Sequence, residues 1–462
     1  MGCGLGGLAA AHCLGRAGHN VTILEQAEAI GEIGAGIQIS PNVSRLFRRW
    51  GIGDRLDKMG IQPGAFAFHR YSTGERVGWS PLGEEMIKDH GEGYYHVHRA
   101  DVHQMLYDLA TPYMTVRLNA RVMSIDPSIP TLTLQSGEVV SADMIIAADG
   151  VKSMIREVVV GGPDKPIPTG DAAYRAIIPT AELLKDPELA GFVENPEMNA
   201  WMGPNRHIMM YKIVRILFCR SCGRALTCFP KRPTDWNMVM AHPDDEAVES
   251  WTAEGDVSKL REDFKDFEPR VQKMLALVPR ALNWRLMDRE PLPKWVHDDG
   301  KVALLGDAIH PMLPYRAQGA AMAVSVPPFL ISTHTHQAQI EDAAVLGVFF
   351  ARLTDRSQIG PILDAYQTIR FPRTSKTQLA ARRNQRIFHY EDGPEQIARD
   401  NSMREAMLRV TGQSSEEADN TGNANQWADK KLNHEQFDYD AELEAELWWK
   451  ENGQAVLEKA KC

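Results

Sequence analysis

Hydrophobic and polar positions along this chain follow two different periods. The opening run LGGLAAAHCLGRAG carries small and apolar residues at helical spacing, and a short apolar strand, Val21-Thr-Ile-Leu24, follows it. Tyr94-Tyr95-His96-Val97-His98 reads as a strand leading into a helix that starts at Arg99. The stretch LTLQSGEVVSADMIIAADG predicts a hairpin around Ser136-Gly137 and then a buried strand ending at Asp149-Gly150. Near residue 300, GKVALLGDAIHPMLPYRAQGAAMAV predicts a second buried strand that stops at Gly306-Asp307, followed by a Pro-rich loop and a small-residue helix. Strands interleaved with helices in this way predict an α/β fold. Residues 171–284 read as a sheet-rich unit with LREDFKDFEPRVQKMLALV as its helical cover. Beyond about residue 370 the pattern is helical and polar, with a loop-rich stretch near 411–425 and a final amphipathic helix.

Composition narrows the function classes. The 462 residues are 44% apolar and 24% charged, an ordinary globular balance. With 51 basic against 61 acidic side chains the net charge is −10, and no window clusters Lys and Arg as a nucleic-acid partner requires. No charge-free apolar run approaches the roughly 18 residues of a membrane span, and no signal peptide is read at the start. Six cysteines are too few for a disulfide scaffold, so a reducing, cytoplasmic setting is expected.

The first motif that carries chemistry is Gly2-x-Gly4-x-x-Gly7, followed by the helix, the strand and Glu25 at its end. The first glycine allows a tight turn, the second lets backbone amides approach a pyrophosphate, and the third lets helix and strand pack closely. An acidic side chain about 20 residues on can accept ribose hydroxyls. The other reading is a Gly-rich turn without a ligand. A dinucleotide fold also needs a strand before the first glycine, so the central strand is expected to be missing here. A second Gly-rich loop, Gly31 to Ile37, precedes Ser40-Pro41-Asn42 at the start of a basic helix.

Three separated segments together resemble the group A flavoprotein aromatic hydroxylases, the p-hydroxybenzoate hydroxylase superfamily, and in particular its fungal salicylate hydroxylase-like branch. They are the Gly2–Gly7 motif with Glu25, Asp149-Gly150-Val-Lys-Ser153-Met-Ile-Arg156, and Gly306-Asp307-Ala-Ile-His310-Pro-Met-Leu-Pro314-Tyr-Arg-Ala-Gln318-Gly319. The last two agree with the patterns DGxxSxxR and GDAxHxxxPxxxxG, and the resemblance spans roughly residues 1 to 430. It implies a Rossmann-like FAD-binding domain with a truncated first strand, in two parts at 1–170 and 285–370. A substrate-binding sheet domain is implied at 171–284, and a helical C-terminal region at 371–462.

The resemblance also implies site residues. Gly2, Gly4, Gly7 and Glu25 hold the FAD adenosine half, and Asp307 the ribityl hydroxyls. Pro314 is implied as a further cofactor-binding residue, and Gln318, Gly319 and Ala320 open a helix aimed at the flavin N1–C2=O edge. Arg45 and Arg99 are implied at the pyrophosphate and ribityl chain. Asp149 and Arg156 are implied to serve FAD and a transiently bound nicotinamide; a buried structural ion pair is the other reading. NADH or NADPH reduces FAD, O2 adds at flavin C4a, and the hydroperoxide passes one oxygen to an electron-rich aromatic ring. The alternatives are a non-oxygenating flavin oxidoreductase, or an impaired relative from a faulty gene model.

Catalytic candidates come from the strand around Trp201 to Tyr211. His207 and Tyr211, four apart, face one side of a strand and suit activation of a phenol, since an imidazole titrates near neutral pH. Cys219-Arg-Ser-Cys222 with Cys228, His334-Thr-His336 and the pair His12/His19 lack a second ligand pair, so no metal is expected. Segments 214–231 and 324–339 have no counterpart in the family. Both start with Val and can end on an AG codon, so they read as translated introns. The second is expected to break the helix after Ala323 and loop outward, leaving a poorly soluble chain that holds FAD weakly.

Overall fold

The structure is a computed structural model that describes residues 1–30, 36–214, 234–244, 254–316, 336–414 and 420–459. The fold is α/β. Strand Val21–Leu24 pairs in parallel with Met114–Arg117, and strand Ile145–Ala147 pairs in parallel with Val302–Leu304. Met1 and Gly2 lie between these two ribbons. The Met1 amino group donates to Ile146 O at 2.7 Å, Ala148 N donates to Met1 O at 2.9 Å, and Gly2 N donates to Leu24 O at 2.9 Å.

Helix Leu5–Arg16 buries its Leu- and Ala-rich face against this layer and against helix His336–Phe350. Small residues set the approach, since a Cβ on Gly347 would lie 2.7 Å from Cys13 Cβ. The expected hairpin forms as Thr131–Leu134 with Val139–Ser141, and the Tyr95–His98 strand leads into helix Arg99–Ala110.

The second unit is an eight-stranded sheet. Its order is Glu254–Gly255, Ala281–Asp288, Ile167–Pro179, Thr234–Pro243, Arg206–Val214, Met198–Gly203, Ala65–Arg70 and Arg76–Pro81. It reaches outside residues 171–284: Ala65–Arg70 adds in parallel to Met198–Gly203, and Arg76–Pro81 closes that side. Alternation along Arg206–Val214 separates two cores, as a strand's two-residue period requires. Ile208 and Met210 join Trp201, Trp236 and Met238 under the helices Val257–Asp263 and Pro269–Ala276. Tyr211 and Ile213 face the other way, toward Phe66, Trp284, Phe388 and Trp427.

The chain ends in helices, as the polar pattern predicts: Ile359–Phe388, Pro394–Val410, Lys430–Phe437 and Ala441–Lys459. Trp448 and Trp449 of the last stack near Phe349, with ring centroids 5.4 and 5.1 Å away.

The unmatched segments 214–231 and 324–339 fall mostly outside the described residues, as do Cys219, Cys222, Cys228 and His334. Residues 336–339 are described, and for these four the expected outward loop does not form. They form the first turn of helix His336–Phe350, with Gln339 buried. The reason is a space left by two glycines: Gly6 N donates to Gln339 Oε1 at 3.0 Å, and a Cβ on Gly306 would lie 2.7 Å from Gln339 Cγ.

Candidate active site

The Gly-rich turn has the geometry its spacing predicts. Gly2 has φ +93°, and a Cβ there would lie 2.4 Å from Ala148 O. A Cβ on Gly7 would lie 2.0 Å from Gly2 O. Gly4 has no atom within 4 Å of its virtual Cβ, and no side chain caps the helix that starts after it. Two glycines thus permit backbone crossings, and the third leaves open space over a helix N-terminus, where an anion is favoured. Glu25 is buried, and its carboxylate accepts from Cys3 N at 2.8 Å and Ala27 N at 3.0 Å. These bonds fix the turn and leave carboxylate lone pairs for further donors.

Asp149 and Asp307 follow the two central strands. Both Asp149 oxygens are shut off from solvent; burial raises the pKa of this group, and a hydrogen bond from Ser153 opposes the rise. The Asp149 backbone N lies 3.5 Å from the virtual Cβ of Gly2, so the carboxyl stands beside the turn. Asp307 is buried and its Oδ1 accepts from Gln339 Nε2 at 3.2 Å.

Two expected cofactor residues bond to backbone carbonyls in this structure. Arg156 does not hydrogen-bond to Asp149. Its guanidinium donates to Ala308 O at 2.7 Å, Asp307 O at 2.8 Å and Val151 O at 2.9 Å, so it staples the loops after the two central strands together. Burial, with Arg289 nearby, lowers its pKa to about 10. Arg45 donates to His90 O at 2.6 Å and to Phe437 O at 3.1 Å, which ties its helix to the C-terminal segment. In both cases the guanidinium satisfies backbone carbonyls, which need partners once they are folded away from water. Arg99 opens helix Arg99–Ala110 and is buried. Gln318, Gly319 and Ala320 lie outside the described residues.

A largely apolar cavity lies between the sheet and the loop that follows Asp307. His207 and Tyr211 line one wall, Pro314 and Tyr315 another, and Phe388 and Trp427 close it. Tyr211 donates to Gly36 O at 3.1 Å, and burial raises its pKa. His207 corrects the expectation of a near-neutral titration: burial, and then the neighbouring His389, push its pKa well below 6.5, so the ring is neutral at pH 7. On the same sheet face, two residues beyond the cavity-lining Ala173, Arg175 is buried. Its Nε and Nη2 donate to Asn237 Oδ1 at 3.0 and 3.1 Å, while Nη1 has no partner among the described residues. Burial lowers the Arg175 pKa to about 9.

The loop that carries Asp307, Pro314 and Tyr315 is held by a buried polar network that sequence reasoning missed. Asp342 accepts from His310 Nε2 at 2.8 Å, Arg370 Nε at 2.8 Å and Gly306 N at 3.2 Å. Glu341 pairs with Arg370 and Arg373, each at 2.7 Å, and accepts from Asn42 Nδ2 at 2.7 Å. The adjacent acids in the otherwise apolar run of helix His336–Phe350 were the available signal, since charges buried there need partners.

An open helix end over a Gly-rich turn, with the buried carboxyls of Glu25, Asp149 and Asp307 at the ends of neighbouring strands, defines the class: a dinucleotide-binding fold. The FAD binding domain family matches residues 1–326, and the chain belongs to that family. It is 35% identical over 414 residues to the FAD-dependent monooxygenase OpS4 of Beauveria bassiana (strain ARSEF 2860), covering 87% of this chain and 88% of that one. It is 33% identical over 386 residues to the 6-hydroxynicotinate 3-monooxygenase of Bordetella bronchiseptica, covering 83% and 90%. The fold is that of a salicylate hydroxylase solved as a substrate complex, with a TM-score of 0.71, 22% identity and coverage of 97% and 96%. The chain is thus an FAD-dependent monooxygenase by family, and the residues around Gly2, Gly4, Glu25, Asp149 and Asp307 fit FAD.

Proposed function

We propose that this enzyme hydroxylates a phenolic or aromatic-acid substrate, taking electrons from NADH or NADPH and one oxygen atom from O2, in the cytoplasm. The observation that carries the reading is the cavity: His207 and Tyr211 stand on one strand face opposite Pro314 and Tyr315, on the loop that also holds Asp307. Bound FAD would carry electrons from the nicotinamide to O2 and pass on one of the O2 oxygen atoms. The chain's own residues do the rest. The apolar walls exclude water and stack a ring, His207 presents a neutral imidazole to a ring hydroxyl, and Arg175 offers a buried N–H suited to an acid group. Gly2, Gly4, Gly7 and Glu25 would hold the adenosine half of FAD, Asp149 and Asp307 would take hydroxyl donors, and Pro314 lines the cavity on the loop that carries Asp307.

The test is NAD(P)H oxidation by the flavin-loaded protein with salicylate, 6-hydroxynicotinate and 3-amino-4-hydroxybenzoate, with 18O2 labelling of the product. One labelled oxygen in the product supports the reading. NAD(P)H oxidation that none of the three accelerates, with no oxygenated product, refutes it in favour of a non-oxygenating oxidoreductase.

A further inference from the structure

The polar end of the cavity is a chain of three buried groups. His207 Nδ1 lies 2.8 Å from His389 Nε2, and His389 Nδ1 lies 3.4 Å from Asp171 Oδ2. His207, His389 and Asp171 are 3%, 9% and 7% exposed. Asp171 sits two residues before Ala173 on the cavity face of its strand, and His389 caps the C-terminal end of helix Ile359–Phe388. The His389 carbonyl accepts Asn205 N at 3.1 Å, in the turn just before His207, so the helix end and the strand are tied together.

Donor and acceptor roles along this chain fix the protons. The Gln385 side-chain amide reaches Asp171 Oδ2 at 2.6 Å and can only donate, and the Tyr315 hydroxyl donates to the same oxygen. Oδ2 is therefore an acceptor, and the His389 tautomer that complements it across 3.4 Å is the one with the hydrogen on Nδ1. Burial lowers the His389 pKa to about 4, so its ring is neutral and Nε2 is a bare acceptor. With His389 in that tautomer, the hydrogen of the contact sits on His207 Nδ1. This leaves Nε2 of a cavity-lining ring with its lone pair and no partner among the described residues.

We propose that Asp171 and His389 are positioning residues that hold His207 as its Nδ1–H tautomer, so that Nε2 takes the proton of a substrate hydroxyl. This rests on the reading of the cavity as a phenol site. In the step, the substrate O–H bond breaks, an Nε2–H bond forms, and the electron pair stays on the substrate oxygen. The positive charge passes down the chain as the His207 Nδ1 proton moves toward His389 Nε2, and Asp171 compensates it. Tyr315 faces His207 and Asp171, the helix C-terminus favours a cation at His389, and Arg206 and Arg399 oppose one there.

The test uses the flavin-loaded full chain with 15N-labelled histidine, and salicylate and 6-hydroxynicotinate as turnover probes. Both His207 and His389 should show the Nδ1–H pattern in the nitrogen spectrum. His389→Phe and Asp171→Asn should shift His207 toward Nε2–H and cut product formation at neutral pH roughly 10- to 100-fold, with KM and flavin content unchanged. That loss should shrink as pH rises and the phenol ionises unaided. His389→Gln, whose oxygen can accept from His207 Nδ1, should keep most of the rate. An Nε2–H pattern for His207 in the parent protein overturns the proposal, and so does a loss in His389→Phe that is equal at every pH and equal in His389→Gln. Full product formation by His207→Ala defeats the cavity reading itself. Loss in His207→Ala with none in His389→Phe defeats only the positioning chain. If His389→Phe fails to hold flavin, the parent spectrum and the His389→Gln rate decide.

Discussion

Replacing Asp342 with Asn probes the network that holds the cofactor-facing loop. The side chain is 0% exposed and takes hydrogen bonds from His310, Arg370 and Gly306. Asn keeps the shape but removes the charge opposite a fully buried guanidinium, and breaking a buried pair costs about 3–5 kcal/mol. Glu341 still faces Arg370, so the lower end, about 3 kcal/mol, is expected. At roughly 1–2 °C per kcal/mol for a chain of this length, the melting temperature should fall by about 3–6 °C. Burial opposes the charged form of Asp342, but His310 and Arg370 outweigh it and hold its pKa below the ordinary value. A depressed carboxyl pKa stabilises the fold above the unfolded-state pKa of about 3.9, and that contribution fades as pH falls through the folded value. The gap between parent and Asp342→Asn should therefore be full at pH 7 and narrow below about pH 4. Differential scanning calorimetry across this range reads it, with the exposed Arg117–Glu138 pair as control: Glu138→Gln should not move the transition measurably. A shift under 1 °C at pH 7, or one no larger than the control, would show that the network adds nothing to stability.

Asp307→Ala removes a buried acceptor beside the cofactor turn, and losing a charge-assisted bond of about 1.5–3 kcal/mol should leave desalted protein largely colourless; normal flavin absorbance would sink the assignment. Gly4→Val should fold with an unchanged melting temperature yet lose FAD affinity, because its side chain enters open space, whereas Gly7→Ala should destabilise the apoprotein through its clash with Gly2 O. His207→Ala should keep FAD but yield less hydroxylated product and more hydrogen peroxide per NAD(P)H; unchanged coupling would make it an ordinary strand residue. Arg175→Met should raise KM for salicylate roughly 10- to 100-fold while sparing a phenol that lacks an acid group, and equal effects on both would dismiss it as the acid receiver.

How much was legible in the sequence follows from the range over which each feature acts. The Gly2–Gly7 turn, the strands ending at Glu25, Asp149 and Asp307, and the facing of His207 and Tyr211 depend on steric freedom and period within a few residues. These could be read directly, and the family resemblance tied the three segments together. What the reading missed depends on partners far apart in the chain. Arg156 and Arg45 are basic residues in fitting places, and nothing local shows that each also reaches a carbonyl 151 or 392 residues away. His207 looks like an ordinary imidazole until the fold buries it and sets His389, 182 residues on, against its Nδ1. Gln339 looks like the end of an inserted loop until Gly6 and Gly306 leave a space that its side chain enters. Local sequence determined which residues turn, pair and alternate. Tertiary structure decided which polar groups are left without water and must find one another, because desolvation depends on everything packed around a group and not on its neighbours in the chain.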